Sequence, residues 1–317
     1  QQNFYEGKTV SLIVGSDVGG GFDAFARLLS RHLGRAIPGR PGIVVENMPG
    51  AGSAIAASYV YAKAAKDGTV IGALNPGGLL TPLFEKRAVG YDTTKFRFLG
   101  SANASARMCV SLRRSKIRSW ADAMRAKVIT GAAAVATASW DYAHLHKNAH
   151  QGNFEIVSGY KGTNEIMLAM ERSEVEATCG VDASSLRSQR PDLTGENGFN
   201  LLLRVSVKPE PDLEALGVPE ASSFARDATA RAIGELVGAQ QIFGRPYLVA
   251  PDVPDERVAI LRAAFETAMR DPQLRAEAQA AGLAIDSATG ARVEEAVRAM
   301  YAAPMAIVEG ARRAIRP

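Results

Sequence analysis

The segment from Thr9 to Gly52, TVSLIVGSDVGGGFDAFARLLSRHLGRAIPGRPGIVVENMPGAG, constrains the fold more than any other. An apolar run, Val10 to Val14, enters a glycine-rich turn, Gly15 to Gly21. A second apolar run, Ile43 to Glu46, enters a second glycine turn, Pro49 to Gly52. Short apolar runs closed by glycine read as strands, and the spacing of Phe22, Ala26, Leu29 and Leu33 reads as one face of a helix. Each turn therefore joins a strand to a helix. Glycine lets a ligand approach the backbone, and a helix start offers unpaired N–H groups with partial positive charge. Two such turns on neighbouring strands read as a site for an anion, although one glycine turn alone is ordinary loop chemistry. The glycines do not fit G-x-G-x-x-G and no Walker lysine-serine pair follows, so a small anion such as a carboxylate is favoured over a nucleotide.

The alternation continues. Strands are expected at Val70–Leu74 and Phe96–Ser101, with helices at Asp23–Leu33 and Ser53–Ala65. A second block begins near Met108, with strands at Met108–Leu112, Val128–Thr130, Glu155–Val157, Glu176–Cys179 and Leu201–Val207 and a helix at Asn164–Glu171. Lys208 to Pro219 reads as a surface loop. A strand at Pro246–Val249 and a helix at Pro254–Arg270 follow, and Thr289 reads as the N-cap of the last helix. This pattern predicts two α/β blocks, the first with a parallel sheet and helices on its faces, and 317 residues suffice for two domains.

Composition narrows the function classes. Hydrophobic residues at 47% and charged residues at 22% are those of a globular protein. No run of about 18 apolar residues encodes a membrane-spanning helix. The 37 basic and 33 acidic residues give a net charge of +4, and the basic excess is scattered. Arg113–Arg114 and Arg312–Arg313 are pairs rather than stripes, which argues against a nucleic-acid partner. Cys109 and Cys179 form no C-x-x-C motif, and their spacing leaves two buried thiols and one disulfide equally open. His144, His146 and His150 lack a further ligand in the motif, so a surface helix without metal is expected there. No G-x-S-x-G elbow or other catalytic constellation stands out.

Three runs, GSDVGGGFDAFAR, VVENMPGAGS and AAKDGTVIGALNPGG, resemble the Bug family, the periplasmic solute-binding proteins of tripartite tricarboxylate transporters. The matching positions are Gly19, Gly20, Asp23, Ala26 and Arg27; Glu46, Asn47, Pro49, Gly50, Ala51 and Gly52; and Asp67, Gly68 and Thr69. Thr69 departs from the family, which usually has an aromatic there. Gly159 to Gly180 resembles the family's second-domain block and Gly244 to Pro272 its return to the first domain, so the resemblance spans nearly the whole chain in order.

The resemblance implies an α/β two-lobed periplasmic-binding-protein clamshell, each lobe a sheet flanked by helices. Residues 1–102 and 226–317 would form a discontinuous first lobe and 103–225 the second. It further implies a monomer in the periplasm, without cofactor or enzymatic activity, that passes a small organic acid to the membrane subunits of a tripartite tricarboxylate-type transporter. The start at Gln1 fits a removed leader or a trimmed start equally.

In open parallel sheets, ligands bind beyond the carboxyl ends of the strands. The expected ligand residues are Ser16, Asp17, Val18, Gly20, Gly21, Phe22, Gly50, Ala51, Gly52, Ser53, Asn75 and Gly77 in the first lobe. In the second they are Gly131, Ala132, Thr137, Ser139, Tyr160, Lys161, Val181 and Asp182. The resemblance implies that the ligand is held largely through backbone N–H groups and ordered water in these loops. Asp23 is expected to cap its helix or brace the loop, and Arg27 to brace the fold or face solvent. The loop TGAAAVATASWDYAHL departs from the family by placing alanines where hydroxyl donors are common, which suits a less polar or aromatic-tolerant ligand or a core role for Trp140. Two other classes stay open: an α/β enzyme acting on a carboxylated or phosphorylated metabolite, and a receptor subunit that signals ligand occupancy.

Overall fold

The computed structural model describes residues 4–19, 21–85, 88–184, 186 and 194–316. The chain divides into two compact units, Gln1–Ala104 with Ile242–Ala302, and Ser105–Gln241 with Ala303–Pro317.

With strands numbered along the chain, the first unit contains β1 (Thr9–Val14), β2 (Gly42–Asn47), β3 (Val70–Ala73), β4 (Arg97–Ser101), β10 (Pro246–Val249) and β11 (Ala288–Thr289). They form one sheet in the order β11-β4-β10-β3-β1-β2. β2, β1 and β3 are parallel, whereas β10 lies antiparallel between β3 and β4. The sheet is thus mixed, not parallel throughout as the alternation suggested. A strand–helix–strand crossover forces parallel pairing, but β10 is reached by chain returning from the second unit and carries no such constraint.

Helix Gly21–Ala36 covers this sheet because its apolar positions fall on one side: Phe25, Ala26, Leu29 and Leu33 are buried with Leu12 and Val14 of β1 and Phe265 of helix Asp255–Arg270. Pro38 cannot continue the helix, and Gly39 follows in the left-handed region (φ 92°). Thr289 caps helix Gly290–Tyr301 as expected, accepting the Arg292 N–H at 3.3 Å.

The second unit holds β5 (Arg107–Leu112), β6 (Val128–Ala132), β7 (Phe154–Ser158), β8 (Ala177–Asp182) and β9 (Phe199–Val205) in the order β7-β6-β8-β5-β9. This sheet is also mixed: β6 pairs in parallel with β7 and β8, and β5 antiparallel with β8 and β9. Helix Ala138–Ala149 packs on the sheet and also contacts helices Ala228–Gly238 and Met305–Ile315. Gly310 lets the last two approach, since a methyl there would sit 2.6 Å from Ile233 Cδ1. The division therefore differs from the expected 1–102 with 226–317 against 103–225 at its late boundary. Residues up to Gln241 and from Ala303 onward group with the second unit because these two helices bury their apolar faces there. The helix capped by Thr289 is not the last: Pro304 ends the segment after it and starts Met305–Ile315. The stretch Lys208–Pro219 also carries a short helix, Pro211–Ala215, with proline in its first turn.

Cys109 and Cys179 form a disulfide between β5 and β8. His146 lies beside it, its ring nitrogen and the two sulfurs all within 4.8 Å of one another, but disulfide sulfurs lack the thiolate charge that binds metal. The histidines are not on a surface: His144, His146 and His150 are all buried, because their helix is covered on both sides. His146 Nδ1 and His150 Nδ1 are 2.8 Å apart, so one donates and the other accepts. Burial holds His146 well below the ordinary imidazole range, helped by the neighbouring His150, and burial lowers His150 to about 4.

Two outcomes follow for stability. The disulfide closes a separation of 70 residues, so replacing both cysteines by serine should cost about 4 kcal/mol in urea unfolding; a loss below about 1 kcal/mol would argue against the bridge. The histidine pair sets a pH dependence. In the unfolded chain His150 takes up its proton near 6.5, but in the fold only near 4. The unfolded state therefore binds more protons between these values, and stability present above pH 6.5 is lost as pH falls toward 4. Urea midpoints at pH 7 and 4.5 should show this loss, and a His150→Gln variant should flatten it.

Candidate functional site

β1, β2 and β3 end level, with Val14 opposite both Asn47 and Ala73. Helices Gly21–Ala36, Ala54–Ala62 and Pro76–Phe84 each follow one of these strands and so begin at the same sheet edge. Their positive ends make that edge favourable for an anion.

Ser53 ties the turns together. Its buried hydroxyl donates to the Gly15 carbonyl at 2.8 Å and accepts the Asn75 N–H at 2.9 Å, joining the segments after β1, β2 and β3. The turn that delivers it is left-handed throughout, with φ of 126°, 47°, 61° and 80° from Gly50 to Ser53. Left-handed backbone at Ala51 and Ser53 is unfavourable for residues with a side chain, by about 1 kcal/mol or more each, and persists because the contacts around it fix it. Glycine is needed opposite: a methyl on Gly15 would sit 2.6 Å from Ser53 Cβ, and one on Gly78 would sit 2.6 Å from the Gly52 carbonyl oxygen. Asn75 caps the third helix by accepting the Gly77 N–H at 3.0 Å.

A second network fixes the first turn. Asp23 is buried and accepts hydrogen bonds from the Gly19 N–H (2.8 Å), Arg27 Nε (2.9 Å) and Asn47 Nδ2 (2.9 Å). Asn47 Nδ2 also donates to the Ser16 carbonyl at 3.0 Å, and Arg27 donates to Asn47 Oδ1 at 2.9 Å. Burial alone would raise the Asp23 carboxyl, but the hydrogen bonds from Arg27, Gly19 and Asn47 outweigh it and hold it below the ordinary carboxylate range. Asp23 and Arg27 thus brace the turn.

The expected first-unit residues spread along this edge. Ser16 is half-buried, and its Oγ is enclosed with no hydrogen-bond partner among the described residues. Asp17, Val18, Gly21, Gly50 and Ala51 are exposed, Phe22, Gly52 and Asn75 half-buried, and Ser53 and Gly77 buried. Gly20 lies outside the described residues. Arg245, which the sequence reading did not place here, comes to the same edge. It precedes β10, whose Tyr247 pairs antiparallel with Ala73, so it lies beyond the end of β3. Its only sequence signal is the GRP step before an apolar run.

In the second unit, the ends of β6, β7 and β8 share an edge. Gly131 is packed: a methyl there would sit 2.7 Å from Ile166 Cγ2. Ala132 is buried. Thr137 caps helix Ala138–Ala149, accepting the Trp140 N–H at 3.4 Å, and the Ser139 hydroxyl accepts the Ala133 N–H at 2.9 Å. Tyr160 is half-buried against the Ile166 cluster, and Lys161 is exposed. Val181 joins an apolar cluster, while Asp182 accepts from Ser184 Oγ at 2.8 Å and pairs with Arg107 at 3.6 Å. Trp140 stacks on His144 at 4.2 Å and donates to the Ile315 carbonyl at 2.8 Å, which is a packing role.

No protein-family model matches this chain, and no curated protein sequence matches it. Solved structures do. A TctC solute-binding protein from Polaromonas is 18% identical over 94% of this chain and 96% of its own, with a TM-score of 0.68. MatC from Rhodopseudomonas palustris with bound malate is 18% identical over 96% of this chain and 99% of its own, with a TM-score of 0.69. An R. palustris protein solved with adipate is 20% identical over 93% of this chain and 94% of its own, with a TM-score of 0.67. The chain shares the α/β fold of these solute-binding proteins along almost its full length.

Replacing Ser53 by alanine would leave the Gly15 carbonyl and the Asn75 N–H without their buried partner. We expect a loss of about 2 kcal/mol or more in urea unfolding. A change within about 0.5 kcal/mol, the ordinary range for surface positions, would mean that the hydroxyl does not hold the turns together.

Proposed function

We propose that this chain is a solute-binding protein of the Bug type, which captures a small organic carboxylate in the periplasm and delivers it to a tripartite tricarboxylate-type membrane transporter. The observation that carries this reading is the convergence of three helix starts on one edge of the first-unit sheet, after β1, β2 and β3. Backbone N–H groups there, with the side chains of Ser16 and Asn75, offer donors to a small anion such as a carboxylate. The fold likeness to proteins solved with malate and adipate supports the same ligand class. Binding requires no covalent step, and the protein works by holding its ligand and releasing it unchanged. The ligand-contact residues proposed for the first unit are Ser16 to Phe22, Gly50 to Ser53, Asn75 and Gly77. Those for the second are Thr137, Ser139, Tyr160 and Lys161.

A thermal-shift screen of ligand-stripped protein against mono- and dicarboxylates, inorganic phosphate and nucleotides tests the reading. A carboxylate should raise the melting temperature saturably, with a stabilisation of about 2.7 kcal/mol at a hundredfold excess over Kd, and mass spectrometry should recover it unaltered. A shift with phosphate or nucleotide alone would reject the carboxylate reading. Chemical conversion of the bound acid would replace it with an enzymatic one.

A further inference from the structure

Arg245 brings a fixed cation to the first-unit edge. Its backbone is held on both sides: its N–H donates to Ser101 Oγ at 3.0 Å, and its carbonyl accepts the Ala102 N–H at 2.9 Å. The guanidinium carbon lies 4.1 Å from the centre of the Phe22 ring and 5.3 Å from that of Phe25, and Nη1 donates to the Gly244 carbonyl at 2.9 Å. A methyl added to Gly21 would sit 3.2 Å from Nη2, so the guanidinium lies against the first turn of helix Gly21–Ala36. The residue thus starts beyond the end of β3 and delivers its charge to the helix that follows β1. A guanidinium held against an aromatic ring keeps the planar fork that matches a carboxylate.

This inference rests on the proposed carboxylate-binding function and narrows its ligand. We propose that Arg245 is the specificity-determining residue of this edge, contacting the bound acid group and selecting carboxylates that carry no ammonium group over amino acids. A fixed guanidinium attracts a carboxylate through a charge-assisted hydrogen bond. It repels an ammonium group placed beside that carboxylate, and here the positive helix starts add to the repulsion. A ligand carrying carboxylates alone escapes that cost.

The test uses the full chain, ligand-stripped, as wild type, Arg245→Gln and Arg245→Lys. Calorimetric titrations would use succinate, glutarate and adipate, with aspartate, glutamate and 2-aminoadipate as their ammonium-bearing counterparts. Wild type should bind its best dicarboxylate at least roughly 10-fold more tightly than the matching amino acid. Arg245→Gln should weaken dicarboxylate binding by roughly 10- to 100-fold, the range of a hydrogen bond to a charged group. It should also narrow the gap to the amino acids, a change that a merely structural role for Arg245 would not produce. Arg245→Lys keeps the charge without the planar fork, so it should retain discrimination against amino acids while losing several-fold in affinity. The lysine variant carries the test if the glutamine variant does not fold. Wild type that binds dicarboxylates, with variants that bind as tightly and discriminate as well, overturns this inference and leaves the functional reading standing. Tighter wild-type binding of the amino acids likewise overturns the inference alone. Wild type that binds no carboxylate overturns the functional reading and the inference with it.

Discussion

The first-unit edge depends on one hydroxyl. Ser53 Oγ lies among backbone groups from the ends of adjacent strands and satisfies both the Gly15 carbonyl and the Asn75 N–H. Without it, the turns after β1, β2 and β3 would share no polar tie at this point, and two buried backbone groups would lose their partner. Its position explains features that look unrelated in sequence. Gly15 is glycine because Ser53 occupies the space a side chain would fill, and Gly78 because the Gly52 carbonyl does. Left-handed backbone from Gly50 to Ser53 is the conformation that brings the hydroxyl inward.

Charge is arranged around that scaffold so that the acidic residue does not oppose an anion. Asp23 stands in the first turn of its helix, where a carboxylate is favoured by the helix field but would also repel a ligand's own carboxylate. Its buried oxygens are turned to Gly19, Arg27 and Asn47. Arg27 offsets its charge directly, and the bonds keep it ionised and fixed. Local neutralisation of this kind keeps Asp23 from opposing the positive helix starts at the edge.

Much of this was legible in the sequence, for reasons that can be named. Strand β1 and helix Gly21–Ala36 follow from local periodicity, and the braces at Asp23 and Arg27 follow from a carboxylate and a guanidinium one helical turn apart. Arg245 was not legible, because an antiparallel insertion of β10 beside β3 brings it to the edge from far along the chain, and no local pattern records that pairing. The buried histidines were missed for a related reason. His144, His146 and His150 have the composition of a solvated helix face, but helices Ala228–Gly238 and Met305–Ile315 cover that face through long-range packing. Those same contacts move both helices into the second unit, where sequence order alone had not placed them.

The two sheet edges, each taken by itself, differ in how much of their polar chemistry is already committed. In the second unit, Ser139 Oγ accepts the Ala133 N–H, Thr137 caps its own helix, and Asp182 is held by Ser184 and Arg107. Val181 is packed into the apolar interior. In the first unit, the enclosed Ser16 hydroxyl has no partner among the described residues, and Val18 is 71% exposed in the same turn. A buried hydroxyl without a partner costs free energy that a ligand or bound water can recover. On the proposed reading, the first unit is therefore where an incoming acid gains most of its polar contacts. Substitutions at its strand ends should alter which acid is bound more than substitutions at the second-unit loops do.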